Sequence, residues 1–365
     1  MIFGFSGKDL VLLSTCMITM FFSACTYSIQ GPFFPKESAE RGLTPLQYGF
    51  VFSIYELVIF LSSIPAGRVI GKLGPKIVTV TSNIVLGLSV AAFGLCHYLQ
   101  TTLAFAISSA IVRCLEAVAA AAVTTGIMTV AINNFPDKSS VMVSYSQTFF
   151  GFGSVAAPAF TGPIYDEWGY TAPFTVVGII LIIFTLFLIL IIPETDMSSG
   201  KSVVREDMKT SDICRLGQLY PAIAGLTAAH MSLTMILSLL EPHIRFMNFT
   251  ATTVGALFLL MGLGYCICSP FIGYLCYKGI NPILLMICGT LLIIISFMLL
   301  APLPILAEEP NLTLIISSLL LVGFGTAGCK TPSFVHILKV KQNEMCFFSD
   351  FLIFFALFKH FRGSQ

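Results

Sequence analysis

The apolar runs of this chain decide most of what it can become. About 20 consecutive apolar residues cross the roughly 30 Å hydrocarbon core of a bilayer as a helix, and runs of that length recur along the sequence. They fall at residues 10–34, 46–66, 77–97, 103–131, 140–162, 172–192, 218–241, 251–272, 282–301 and 312–334. Lipid offers no hydrogen-bond partners, so each run must bond its own backbone and is expected to be a helix. Composition agrees: 10% of the 365 residues are charged and mean hydropathy is +0.92, whereas soluble domains carry roughly 25% charged residues. The reading is an all-α, multi-pass membrane protein with ten spans. The first run exceeds the roughly 7–15 residues of a cleaved signal-peptide core, so it is expected to be retained.

Several function classes drop out. A net charge of +1 with no basic block gives nucleic acid nothing to hold. Of the 11 cysteines, Cys16, Cys25, Cys114, Cys266, Cys268 and Cys288 lie inside apolar runs, where a thiol packs as a small hydrophobe. Cys266-Ile-Cys268 lacks the spacing and partners of a zinc site, so no metal is expected. There is no G-x-x-x-x-G-K-[ST] string for ATP and no nucleophile–base set, so the chain is not expected to be an enzyme or to need a cofactor.

Loop charges set the orientation. Alternate loops hold Arg68, Lys72, Lys76, Lys138, Lys201, Arg205, Lys209, Arg215 and Lys278, and the opposite loops only Lys36, Arg41 and Arg245. This bias places the N-terminus and the polar stretch 193–217 in the cytoplasm. The sequons Asn248-Phe-Thr250 and Asn311-Leu-Thr313 then both fall on the far side, as glycosylation requires. Residues 193–217, rich in Ser, Asp and Lys, read as a solvated linker. Segments 67–76 (GRVIGKLGPK) and 273–282 (GYLCYKGINP) follow equivalent helices, each with Gly first and Lys sixth, a faint echo of repeated halves.

Charges inside the apolar runs stand out because they are costly there and usually mark a substrate or proton pathway. Arg113 and Glu116 sit in AISSAIVRCLEAVAAAAV, about ten residues into the fourth span, three positions apart and so on one helix face. A static ion pair locking helices together is the plainer alternative. Glu56, in SIYELVIFL, lies at similar depth and is what a cationic amine or an exchangeable proton would seek. Glu241, in LSLLEPHIRF, precedes Pro242, which frees backbone carbonyls nearby, and is a candidate for cation binding or an interfacial residue. His230 could titrate at mildly acidic pH or serve as a hydrogen-bonded packing group. Asn83 and Gln147 are polar residues that could line a cavity.

The first span ends CTYSIQGPFFPKESAERG, residues 25–42, where Gly31, Pro32 and Pro35 are expected to stop the helix. With Tyr27, these residues occupy the places of the first-helix motif of the drug:proton antiporter branch of the major facilitator superfamily, which the string resembles. YSI-GPFFPKE is also similar to the polyamine-transporting branch of the vesicular amine transporters. GRVIGKLGPK resembles the family's loop between the second and third helices through Gly67, Lys72, Gly74 and Lys76, departing at Gly71, where the pattern has Asp, and at Pro75. GSVAAPAFTG (153–162) resembles its fifth-helix motif through Gly153, Pro158 and Gly162, with Ala157 in place of a Gly. Arg113 matches the fourth-helix Arg that the family ties to proton coupling, and Glu241-Pro242 matches an acidic-Pro pair in its seventh helix.

The resemblance implies a major facilitator fold of two six-helix halves, here with residues 1–192 as the first half, 193–217 as linker, 218–334 as an incomplete second half of four helices, and 335–365 as a divergent tail. The apolar part of that tail, 346–358, is interrupted by Asp350 and too short to span comfortably. The implied function is proton-coupled antiport of organic cations, polyamines or other amines, across a vesicular or endosomal membrane. The two halves would rock about a midplane site, driven by a proton gradient. Arg113, Glu116 and Glu56 are expected to couple protons, while Glu56, Glu241, Tyr27, Asn83 and Gln147 meet the amine. The working unit is expected to be a monomer in lipid, with the amine and protons as partners. The alternatives are a drug or metabolite exporter of the same fold at the plasma membrane, and a truncated, non-transporting regulatory form.

Overall fold

A computed structural model of the chain describes residues 7–135, 139–193, 219–300 and 311–343. Among them run eleven α-helices: α1 (Gly7–Ser28), α2 (Gln30–Glu40), α3 (Pro45–Leu73), α4 (Pro75–Leu95), α5 (Thr102–Asn134), α6 (Ser139–Trp168), α7 (Thr171–Ile191), α8 (Tyr220–Ile244), α9 (Ala251–Tyr277), α10 (Pro282–Leu300) and α11 (Leu312–Asn343). Every expected span is helical, α1 and α2 together making the first. Nine are long and apolar enough to cross a membrane. The other, α6, is 30 residues long but diluted by Gly, Ser and Pro. Helix α11 continues to Asn343, beyond the apolar run that ends near residue 334. Residues 194–218 and 344–365, which hold nearly all of the expected linker and most of the expected tail, lie outside the described residues.

The prolines after the first span do not stop it as expected. The helix breaks at Ile29 and resumes as α2, which carries Pro32 and Pro35 within it. Pro32 has no N–H, so the Ser28 carbonyl loses the donor it would have used four residues on. Near a helix start that missing N–H costs nothing, because the first donors have no partner anyway. The C-terminal end of α2 is tied down by Arg41, whose Nε donates to Glu37 at 2.6 Å and whose Nη1 donates to the Leu99 carbonyl at 2.6 Å. His97 Nδ1 lies 2.9 Å from the same Glu37 oxygen.

Local signals explain the other boundaries. Thr44 and Gln47 form a reciprocal capping box ahead of Pro45. Between α3 and α4 stands the single residue Gly74, at φ 84° and ψ 151°, a region essentially reserved for glycine. Pro75 then opens α4 at the first helical position. The α9–α10 connection repeats the device, with Gly279 at φ 90° and Pro282 at the start of α10.

The chain forms two compact units, Met1–Val203 with Ser238–Gly255, and Val204–Leu237 with Ala256–Gln365. In the first unit α4 packs on α5 and α7, α1 on α6, and α3 on α5. Small residues allow the close approaches: Gly87 and Gly178 each face the other's carbonyl across α4 and α7. Residues 238–255 belong to this unit because Asp166, at the end of α6, accepts from the Ala251 and Thr252 amides at 3.0 and 2.9 Å and so caps α9. In the second unit α10 packs on α11 through Gly289, Gly325 and Gly328, and Ser296 donates to the Ser318 carbonyl at 2.7 Å.

Candidate transport site

Helix α5 is alanine-rich on the face it buries, which lets α3 approach closely enough to enclose long side chains. Arg113 is 1% exposed and Glu116 0%, and Arg113 Nη1 lies 3.0 Å from Glu116 Oε2. At an effective dielectric of about 20, charges at that separation attract by about 5 kcal/mol. Holding one charge at the centre of a membrane helix costs about 3 kcal/mol on insertion scales. The attraction therefore roughly offsets the penalty of both charges, and neither is tolerable without the other.

Two residues complete the cluster. Gln30, the first residue after the break at Ile29, is fully buried, and its Nε2 donates to both carboxylate oxygens of Glu116 at 3.1 and 3.3 Å. The bonds run from the α2 start to α5, so the interruption of the first span places a polar side chain against the buried acid. Tyr55 of α3, 2% exposed, lays its ring against Arg113, with the guanidinium carbon 4.0 Å from the ring centroid. Tyr27 lies 5.7 Å from Tyr55, ring to ring, and Phe150 of α6 lies 6.4 Å from Tyr27. Glu56, half-buried, follows Tyr55 on α3. Arg113, Glu116 and Glu56 all lie close enough to Tyr55 to act on it electrostatically. Four of the expected residues, Arg113, Glu116, Glu56 and Tyr27, are thus gathered around one tyrosine.

Others lie elsewhere. Glu241 is 5% exposed and bound bidentately by Arg245, at 2.9 Å from Nε and 2.6 Å from Nη2, so its charge is met within one turn of α8. Asn83 is fully buried, donates to the Leu181 carbonyl at 3.1 Å and the Thr185 hydroxyl at 2.8 Å, and ties α4 to α7. The surroundings of the Gln147 side chain lie outside the described residues. His230 Nδ1 donates to the Leu226 carbonyl at 3.0 Å, a bond within its own helix.

The motif glycines and prolines act through backbone approach. A Cβ on Gly153 would run into the Phe21 carbonyl of α1, and one on Gly162 would meet the Ala251 carbonyl at 2.8 Å. Pro158 is accommodated within continuous α6, its carbonyl against Gly255. Gly31, Pro32 and Pro35 are buried in α2. Lys72 lies in the last turn of α3, Lys76 at the start of α4, and Gly67 inside α3 with open space around it. Asn248 and Asn311 are both exposed. Asn311 also accepts from the Thr313 amide at 3.2 Å, at the N-terminal end of α11.

Of the buried polar residues that sequence reasoning did not single out, three stand close to titratable groups. Gln30 and Tyr55 are ordinary by type, and only their partners mark them. Lys330 of α11, 1% exposed and within electrostatic reach of His230, had a signal that was legible: a lone lysine in GFGTAGCKTPSF.

Comparison with known proteins gives a consistent picture. The sequence profile of the Major Facilitator Superfamily matches residues 16–344. The chain is 29% identical to the Homo sapiens MFS-type transporter SLC18B1 over 337 residues, 92% of this chain and 72% of that one. It is 28% identical to the Rattus norvegicus protein of that name over 314 residues, 86% of this chain and 68% of that one. Among solved structures, it superposes on a bacterial homolog of the human lysosomal transporter Spinster, in an inward-facing and unoccupied conformation. There the TM-score is 0.66 at 13% identity, covering 91% of this chain and 76% of that one, a likeness of fold.

Proposed function

The chain belongs to the major facilitator superfamily and is a membrane transporter rather than an enzyme; from that premise we propose that it exchanges protons for organic cations, polyamines or other amines, across a vesicular membrane. The observation that carries this reading is the buried Arg113–Glu116–Gln30 cluster with Tyr55, Tyr27 and Glu56 beside it. Antiport requires that its two cargoes exclude one another. A carboxylate meets that requirement, because it binds a proton or attracts an ammonium but does not hold both charges at once. Glu56 offers this choice to the amine. Glu116 offers it to Arg113, whose partner loses its charge when a proton arrives. The first-span string from Tyr27 to Pro35, similar to that of polyamine-carrying relatives, supports the substrate class. Alternating access then moves the loaded acid from one side to the other.

The test is uptake of labelled spermidine into proteoliposomes with an acidic interior. Uptake that collapses when the pH gradient is dissipated is the expected result. Uptake indifferent to the gradient would sink the coupling, and no uptake of spermidine or monoamines would sink the substrate class. Transport of a hydrophobic cation such as ethidium instead would favour the drug-exporter alternative. Glu56→Gln is expected to abolish uptake while leaving membrane insertion intact.

A further inference from the structure

Arg113 is a cation parked on an aromatic face. Its guanidinium carbon stands 4.0 Å from the Tyr55 centroid, well inside the roughly 6 Å within which a ring attracts a cation. The seat is larger than Arg113 needs: Tyr27 tilts against Tyr55 at 5.7 Å, and Phe150 against Tyr27 at 6.4 Å. These three rings come from α3, α1 and α6. Tyr27 and Phe150 are only partly buried, whereas Tyr55 is closed off. At the same cluster the Gln30 amide oxygen is buried with no hydrogen-bond partner among the described residues. That atom is an acceptor, since Nε2 is already turned to Glu116. A π face and a carboxylate together suit an organic cation, and the unfilled amide acceptor adds a partner where that cation carries N–H donors.

We propose that Tyr55, with Tyr27 and Phe150, is an ammonium seat that the substrate's charged head and Arg113 occupy by turns. This rests on the organic-cation reading above and adds to it where the head binds and why Arg113 moves. Arrival of the head displaces Arg113 from the ring. Departure of the head lets the guanidinium return and cover the seat. No bond is made or broken; two cations compete for one face.

The experiment measures spermidine uptake by wild-type protein and by Tyr55→Phe, Tyr55→Leu and Phe150→Leu in proteoliposomes. Competition by choline is compared with competition by 3,3-dimethyl-1-butanol, its uncharged carbon analogue. Buried cation–π contacts are worth about 2 kcal/mol, or roughly a thirty-fold change in affinity. Tyr55→Phe keeps the ring and is expected to keep the KM within about two-fold. Tyr55→Leu is expected to raise it by roughly ten- to thirty-fold and Phe150→Leu by a smaller factor, and choline is expected to compete only where the ring remains. If Tyr55→Leu leaves the KM unchanged but removes the dependence on the pH gradient, Tyr55 only props Arg113 and the seat is overturned. Equal competition by choline and its neutral analogue overturns it too. Should Tyr55→Leu fail to insert, the Phe150→Leu KM and the choline comparison on wild-type protein decide the matter alone. Absence of any organic-cation uptake by wild type would fall on the functional reading rather than on the seat.

Discussion

A guanidinium and a carboxylate locked together in the first unit have no inexpensive substitutes. Replacing Glu116 by Leu leaves Arg113 buried and uncompensated, which in buried pairs costs about 3–5 kcal/mol. Removing both charges, as Arg113→Leu with Glu116→Leu, is expected to recover most of that loss while leaving no transport. Thermal melting in detergent of the two single variants and the double would show it, and additive losses would contradict the pairing. Arg113→Lys keeps the charge but not the planar group that stacks on Tyr55, so uptake is expected to fall although melting changes little. Asn83 stands at the other extreme. Its amide serves α4–α7 packing, and such interhelical bonds average about 0.6 kcal/mol in membranes, with a maximum near 1.7. Asn83→Ala is therefore expected to lower stability by about that much and leave the KM for spermidine unchanged. A raised KM would restore Asn83 to the substrate path.

At the scale of helices, proline and glycine act differently from their sequence reputation. Gly31, Pro32 and Pro35 suggest the end of a helix, and locally that inference is sound. The chain instead absorbs Pro32 at a fresh helix start, and the one-residue break at Ile29 turns Gln30 toward Glu116. The two halves of the weak echo between 67–76 and 273–282 share more in structure than in letters. Each ends a helix, turns at a glycine of positive φ and restarts on proline. The paired lysines that betrayed the echo do not make the turn. Gly74→Ala is expected to cost about 1–3 kcal/mol, because its φ and ψ lie where a Cβ is not accommodated. Gly153→Leu is expected to be worse, since the Phe21 backbone cannot yield as a side chain would. Loss of membrane-inserted, monodisperse protein is the measurement; a normal yield would show that α1 and α6 separate easily.

For the molecule as a whole, orientation is the next property to measure. The lysine and arginine bias predicts that trypsin added outside intact vesicles cuts at Lys201, Arg205 or Lys209. Protection there, with cleavage at Arg245, would invert the topology. The order and approximate position of the apolar helices were legible from residues alone, because hydropathy is a local property and the bilayer sets a single ruler; among the described residues nine of the ten expected runs are long and apolar enough to cross, and the tenth, α6, is helical. That Arg113, Glu116 and Glu56 interrupt long apolar helices was legible as well. Partners were not legible. Gln30, Tyr55 and Asn83 are polar residues of unremarkable type, and whether each meets an acid, a guanidinium or a carbonyl depends on which helix faces come together. That choice is made by small residues scattered over hundreds of positions, and only the packed structure brings them into contact.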